Sequence, residues 1–329
     1  MTLRHFAPPR VAEAELPGSY RWYYFDAVAD DERSAFCAIF LFGSIFSPYY
    51  AARLARGEAA SPLDHAAVSF VHYRRGERPL FCFSEYGPKT RHRVQRPLGA
   101  QIARSSFERQ HDGSIRIDVE DTQIALRTPV RASFSFSPRE PSMTPRPVQL
   151  SGREHEWHGI MPRARVHGVI EGVADFEGTG YHDTNFGSEP PARLLSSWSW
   201  GRVHERGRTR IFFDLNTTDG RRSHELVTTG GGRATAILPP RRERAAMTSW
   251  MLSLPKLFEA EPGHPLERIT PLERAPFYSR FLARFPGAES DRVGLAEHID
   301  FARLDHPFVR RMIALRLARP ELDEWGTLP

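Results

Sequence analysis

Lysine is almost absent from this chain of 329 residues: Lys89 and Lys256 are the only two, so nearly all of its 45 basic side chains are arginine. Forty Asp and Glu bring the net charge to +5, and the two signs are interleaved along the chain. A nucleic-acid binder gathers its positive charge into a stripe mixed with aromatics, or into a recognisable module. The nearest approach, Arg241-Arg242-Glu243-Arg244, is short and reads as a solvated loop, so no nucleic-acid partner is expected. Cysteine is scarce as well. Cys37 and Cys82 sit inside apolar runs (Phe36-Cys37-Ala38-Ile39 and Phe81-Cys82-Phe83), as small buried hydrophobes rather than members of a disulfide framework or metal ligands. Long hydrophobic runs are missing too. The longest, Ala35 to Phe46, spans twelve residues, too few to cross a bilayer as a helix. Met1 to Leu16 carries charges and two prolines where a signal peptide needs an apolar stretch, so a cytoplasmic location is expected.

The chain also lacks a G-x-S-x-G elbow, a P-loop and a dinucleotide fingerprint, which argues against the commonest hydrolase and nucleotide-dependent chemistries. His155-Glu156-Trp157-His158 is one residue short of the helical zinc-protease spacing, and on a strand its two His face opposite sides. His182-Asp183 alone is a weak ligand pair. No metal and no cofactor is expected.

What the sequence does contain is alternation. Short segments with period two, separated by turn residues, predict strands. They run over 21–27, 35–46, 65–73, 80–85, 114–120, 123–126 and 132–136, then over 164–173, 175–182, 196–204, 209–216, 224–229 and 235–238. Between the two series, Ser137 to Gly152 holds four prolines and reads as a linker or long connection. Helix is expected late, over 277–285 and 307–317, the second opening on Asp305 or His306 before Pro307. The pattern predicts an all-β fold of two β-barrel or β-sandwich domains, 1–150 and 151–329, with short C-terminal helices. The 22 Phe would line a large apolar pocket or equally fill an ordinary core.

Four segments concentrate residues that a plain core does not need: Phe42-Gly43-Ser44-Ile45-Phe46-Ser47-Pro48-Tyr49-Tyr50, His155-Glu156-Trp157-His158, Gly178 to Gly187, and Trp198-Ser199-Trp200. Residues two apart on a strand share a face. His155 thus projects with Trp157, Tyr181 with Asp183, and Trp198 with Trp200. Glycines at 178 and 180 let other groups approach closely. Two plainer readings stand beside this one. Asp183-Thr184-Asn185-Phe186-Gly187 has the composition of a turn, and paired tryptophans also belong in cores. His65, His72 and His167 read as structural.

At these segments the chain resembles the carotenoid 1,2-hydratase (hydroxyneurosporene synthase) family. The matching pieces are Trp22-Tyr23-Tyr24-Phe25-Asp26-Ala27, the Phe42–Tyr50 stretch, Pro62-Leu63-Asp64-His65-Ala66, Ser84-Glu85-Tyr86-Gly87, Gly180-Tyr181-His182-Asp183-Thr184-Asn185-Phe186-Gly187-Ser188-Glu189-Pro190, Trp198-Ser199-Trp200, and a tail from Ile299-Asp300 through Arg303 and Met312 to Arg316. The strand after Pro62 departs from the family's pattern, which usually has a Cys and an Asn there, with Ala67, Ser69 and His72.

The resemblance implies two lipocalin-like (calycin) β-domains and cofactor-independent hydration of an acyclic carotenoid such as neurosporene or lycopene. It implies Asp183 as the acid, with His155, Trp157 and Tyr181 as companions, and Trp198, Trp200, Tyr49, Phe46 and Asn185 as contacts for a hydrophobic polyene. Protonating a trisubstituted alkene leaves a tertiary carbocation, so Asp183 is expected to be protonated near neutral pH through burial. The rings of Trp157 and Tyr181 would face the cation, and His155 would position the attacking water or take its proton. A cyclase or pericyclase acting on a polyene, or a carrier of a hydrophobic ligand, is the alternative on such a scaffold. The tail helix at 307–317 would either meet the inner membrane peripherally or pack on the barrel.

Overall fold

The computed structural model describes residues 16–90, 92–95, 98–143, 146–150, 153–205, 207–229, 232–238, 244–255, 259–261, 264–265, 267–284, 293–322 and 324–325. Met1 to Glu15 and Arg241 to Glu243 lie outside them, and with them the readings of a leader and of a basic loop. The chain divides into two compact units: Met1–Val148 with Glu154–Pro190 and Arg311–Pro329, and Gln149–Arg153 with Pro191–Arg310. The boundary expected at 150 therefore falls near 190. The segment carrying His155 to Gly187 belongs with the N-terminal strands.

The first unit begins with β1 (Tyr20–Ala29) and β2 (Ser34–Phe42), followed by the short helix α1 (Pro48–Ala55). Then come β3 (Ala66–Arg74), β4 (Leu80–Tyr86), β5 (His92–Gln95), β6 (Gly99–Ile102), β7 (Ser105–Arg109), β8 (Ile115–Thr122) and β9 (Pro129–Pro138). Strand β10 (Arg146–Leu150) pairs with β11 (Arg153–Ile170), and β12 (Ala174–Gly187) completes the set. Their order across the sheet is β4-β3-β2-β1-β12-β11-β9-β8-β7-β6-β5. β12 therefore pairs antiparallel with β11 on one side and, from Gly178 to Gly187, with the whole of β1 on the other. The sheet curls until β4 meets β8, where Ser84 Oγ donates to Asp121 Oδ1 at 2.6 Å.

Alternation places the inward set. Tyr23, Phe25 and Ala27 of β1 join Phe36, Ala38, Phe40 and Phe42 of β2, together with Phe107, Phe134, Phe136 and Phe176. Phe36 and Phe134 stack with centroids 4.0 Å apart, and Phe25 meets Phe107 edge-on at 5.1 Å. Such pairs add about 0.5–1.5 kcal/mol each beyond the area they bury. The phenylalanine-rich composition thus fills this core. His182 joins the same face, stacked on Phe25 at 3.8 Å, with Nδ1–H donating to the Tyr24 carbonyl.

In the second unit, β13 (Leu195–Glu205), β14 (Arg208–Thr217), β15 (Arg222–Thr228) and β16 (Gly232–Leu238) form one side of a sheet. The strands Gly294–Asp300, Tyr278–Arg284 and Glu267–Arg274 extend it beyond β13. Val203, Phe212, Phe281, Ala283 and Ala296 form its core cluster.

Three local expectations need correction. The helix expected over 277–285 is the strand Tyr278–Arg284, in which every residue up to Ala283 is buried. A run buried on both faces loses the period that separates strand from helix. Residues 123–126 form a turn rather than a strand: Leu126 is exposed, Arg127 takes a φ of 54°, and Gln123 N–H bonds the Thr128 carbonyl. The proline-rich stretch is no free linker. Arg139 and Met143 donate backbone N–H to Arg163 and Gly159, and β10 then pairs with β11. Proline is tolerated along such an edge because no ladder donor is required of it. The helix expected over 307–317 forms and ends at Ala314. The helix Pro307–Ala314 starts where His306 Nδ1 accepts the Phe308 N–H, and Val309 and Ile313 are buried.

Burial pushes the Asp121 carboxyl up to about 6, although Ser84 Oγ and the Thr122 N–H both bond Oδ1; Oδ2 is buried with no partner. A carboxyl raised in the folded state lowers stability as pH climbs from its unfolded value near 4 through about 6, by up to about 3 kcal/mol. Thermal melts of Asp121→Asn and the parent from pH 4 to pH 8 should therefore diverge in the variant's favour by a few degrees as pH rises. A constant difference would show that Asp121 is charged in the fold throughout.

Candidate active site

The pairing of β11 with β12 sets Trp157 opposite Asn185 and Gly159 opposite Asp183. On β12, Tyr181, Asp183 and Asn185 alternate with His182 and Thr184, so they share the face opposite the phenylalanine core. The turn expected as the alternative for 183–187 is strand in full. The neighbouring strand β1 presents Tyr20, Trp22, Tyr24 and Asp26 to the same face, opposite Gly187, Asn185, Asp183 and Tyr181.

Three donors converge on the Asp183 carboxyl. Trp157 Nε1–H reaches Oδ2 at 2.8 Å, the Tyr181 hydroxyl reaches the same oxygen at 2.7 Å, and Asn185 Nδ2–H reaches Oδ1 at 3.0 Å. Trp157 Nε1–H also points at the Tyr181 hydroxyl, 3.2 Å away. Behind Asn185, its Oδ1 lies 3.1 Å from His155 Nε2, and His155 Nδ1 lies 2.5 Å from the Tyr20 hydroxyl. All six side chains are buried, none more than 3% exposed. Two glycines make the arrangement possible by close approach. A Cβ on Gly187 would stand 2.4 Å from the Tyr20 ring, and one on Gly159 would stand 3.1 Å from the Trp157 indole.

Burial sets the protonation of the surrounding groups. It lowers His155 to about 4, against a small upward pull from the Asn185 hydrogen bond, so the imidazole is neutral at pH 7. Tyr181 is held well above its ordinary value, by burial first; negative charge on the neighbouring Asp183 would raise it further. Burial raises Tyr20 likewise. Both phenols are therefore donors with a proton in place.

Tyr49 is buried on α1 under the Arg319 guanidinium, 4.0 Å from its ring, and Phe46 meets Phe83 of β4 edge-on at 6.5 Å. Beside Tyr49 on α1, the Tyr50 hydroxyl donates to the Ser19 carbonyl at 2.8 Å, next to Tyr20. Trp198 and Trp200 share a face of β13, as alternation requires, within the second unit; Trp198 packs 5.9 Å from Phe213. His65, expected to be structural, has Nδ1 3.1 Å from buried Glu85. The sequence reading missed Tyr20. Its signal was the period-two series Tyr20, Trp22, Tyr24, Asp26, of which the first member stands outside the matched motif. Among the described residues no group of three or more His, Cys, Asp or Glu is placed to hold a metal.

A sequence profile described as carotenoid hydratase CrtC matches residues 38–325. An acyclic carotenoid 1,2-hydratase of Thiocapsa roseopersicina is 30% identical over 317 residues, covering 94% of this chain and 76% of its own. The enzyme of the same name from Rubrivivax gelatinosus is 27% identical over 281 residues, covering 84% and 67%. Among solved structures, an AttH-like protein of Nitrosomonas europaea superposes with a TM-score of 0.58 at 14% identity, over 86% of this chain and 92% of its own. That similarity shows the fold, which is lipocalin-like and mostly β, as expected. With most of its length inside the profile and its buried tyrosine, aspartate, tryptophan and histidine gathered at one place, the chain belongs to the carotenoid hydratase CrtC family.

Proposed function

We propose that this chain adds water to the terminal 1,2 double bond of an acyclic carotenoid, with Asp183 as the acid. The observation that carries the reading is the convergence of three donors on one buried carboxyl. The names of its relatives supply the substrate class.

The alkene π pair takes the Asp183 proton to form a C–H bond at the less substituted carbon. A tertiary carbocation faces the carboxylate left behind. Water adds its oxygen to the cation and returns one proton to Asp183, so alkene plus water gives a tertiary alcohol and the acid is restored. The negative charge grows on Asp183 during the first step. Trp157, Tyr181 and Asn185 already point donors at both of its oxygens and need no rearrangement to stabilise that charge. The indole and phenol, beside the carboxyl, also offer π density to the cation, worth about 2 kcal/mol for a desolvated pair.

Incubation with lycopene or neurosporene in detergent and heavy-oxygen water, read by mass spectrometry, tests the proposal. A product heavier by one labelled water is expected. Asp183→Asn should lower its rate about 10²–10⁴-fold, the usual worth of a general acid. Recovery of unchanged polyene from the parent enzyme would overturn the carotenoid assignment. Trp157→Phe and Tyr181→Phe each remove one donor to the developing carboxylate and should each cost about tenfold in kcat. No loss in either would place the charge elsewhere.

A carotenoid is delivered from a membrane, and no helix among the described residues is long and apolar enough to cross one. Peripheral contact at the inner membrane fits the outer side of helix Pro307–Ala314 and the turn after it. There Phe308 and Leu315 are 60% and 67% exposed beside Arg311 and Arg316. Phe308→Glu with Leu315→Glu should abolish sedimentation with anionic vesicles while the melting temperature stays within a degree or two; unchanged sedimentation would exclude this face.

A further inference from the structure

We propose that Tyr20 sets the direction of a hydrogen-bonded chain, Tyr20–His155–Asn185–Asp183, and thereby keeps the proton of Asp183 available to the substrate. The inference rests on the acid role proposed for Asp183. It makes His155 a positioning residue in place of a base, and adds Tyr20 at the far end.

The direction follows from the contacts. Asn185 turns Nδ2–H toward Asp183 Oδ1, so its own oxygen faces His155. An amide oxygen only accepts, so His155 Nε2 carries the hydrogen. The imidazole is neutral in this buried place, which leaves Nδ1 with a bare lone pair. Nδ1 must then accept, and the partner at 2.5 Å is the Tyr20 hydroxyl, which burial keeps protonated. Every link donates toward Asp183: Tyr20 to His155, His155 to Asn185, Asn185 to the carboxyl.

The same four groups satisfy one another equally well in reverse. A protonated Asp183 would donate to a flipped Asn185, the amide nitrogen would donate to Nε2, and Nδ1–H would donate to Tyr20. In that direction the acidic proton is spent on Asn185 and turned away from the alkene. The two states differ in the role of the phenol, and with the Asn185 amide turned as it is, the phenol that donates to Nδ1 favours the forward one. An Asn in the middle cannot pass a proton onward without forming an imidic acid, so the chain orients and does not shuttle. The Tyr20 ring is placed for the task by a stack on Trp22, with centroids 5.0 Å apart and planes 14° apart, and by the missing Cβ at Gly187.

The direct test is the nitrogen chemical shifts of the His155 ring in protein labelled with ¹⁵N-histidine, assigned by the signal lost in His155→Gln. A hydrogen on Nε2 and a bare Nδ1 are expected, with both tautomers appearing in Tyr20→Phe, which keeps the ring and its stack. This readout needs no substrate, so it stands even if hydration itself is disproved. In turnover, Tyr20→Phe should lower kcat about tenfold and leave KM unchanged, with a melt lowered by no more than the few degrees that one unpaired buried nitrogen costs. His155→Gln, which keeps a donor toward Asn185, should retain more of kcat than His155→Leu. An Nδ1–H tautomer or an imidazolium in the parent protein at pH 7 would overturn the proposal. So would full kcat in Tyr20→Phe, or equal loss in the Gln and Leu variants, as a proton-accepting His155 would give.

Discussion

A strand buried on both faces must pair each polar side chain with another polar group of the protein, side chain or backbone. That constraint governs β1 and the Gly178–Gly187 half of β12, with the residues of β11 that face the same site, His155 and Trp157. One face of these strands meets the phenylalanine core. The other is equally shut off from solvent, yet carries Tyr20, Asp26, His155, Trp157, Tyr181, Asp183 and Asn185. In water such groups would cost little and organise nothing. Here each must find a partner within reach of the sheet's own spacing, and the pairing of β12 with both β1 and β11 supplies partners on either side. Leaving any one of them unpaired costs about 1–3 kcal/mol. The network is therefore held in one geometry by the same energetics that make it expensive.

That geometry has chemical consequences because the donors are unequal. The two at Oδ2 come from aromatic side chains anchored on neighbouring strands, and the one at Oδ1 comes from an amide whose orientation is set further back. The result is a carboxyl whose conjugate base is solvated by the protein and whose surroundings are rich in π density. A carboxyl in water is ionised at pH 7 and has no proton to give an alkene.

The division between what the residues announced and what they concealed follows the same physics. Period-two alternation is a local signal, and it is enough to place His155 with Trp157 and Tyr181 with Asp183. The proline-rich stretch misled because proline marks either a linker or an edge, and a single sequence does not say which strand lies alongside. Residues 278–284 look helical for the reason that makes them central, burial on both sides. Register cannot be read from one strand, so the partnership of Tyr20 with His155, 135 residues apart, had no local trace.

The central claim is that Asp183 carries a proton in the resting protein in spite of three donors that favour its anion. Infrared difference spectra between the parent and Asp183→Asn at pH 7, in light and heavy water, read this directly. A protonated carboxyl stretch present in the parent, shifted by deuterium and missing from the variant, is the predicted result. A difference spectrum showing only the loss of a carboxylate pair would contradict the account and require the proton to come from another group.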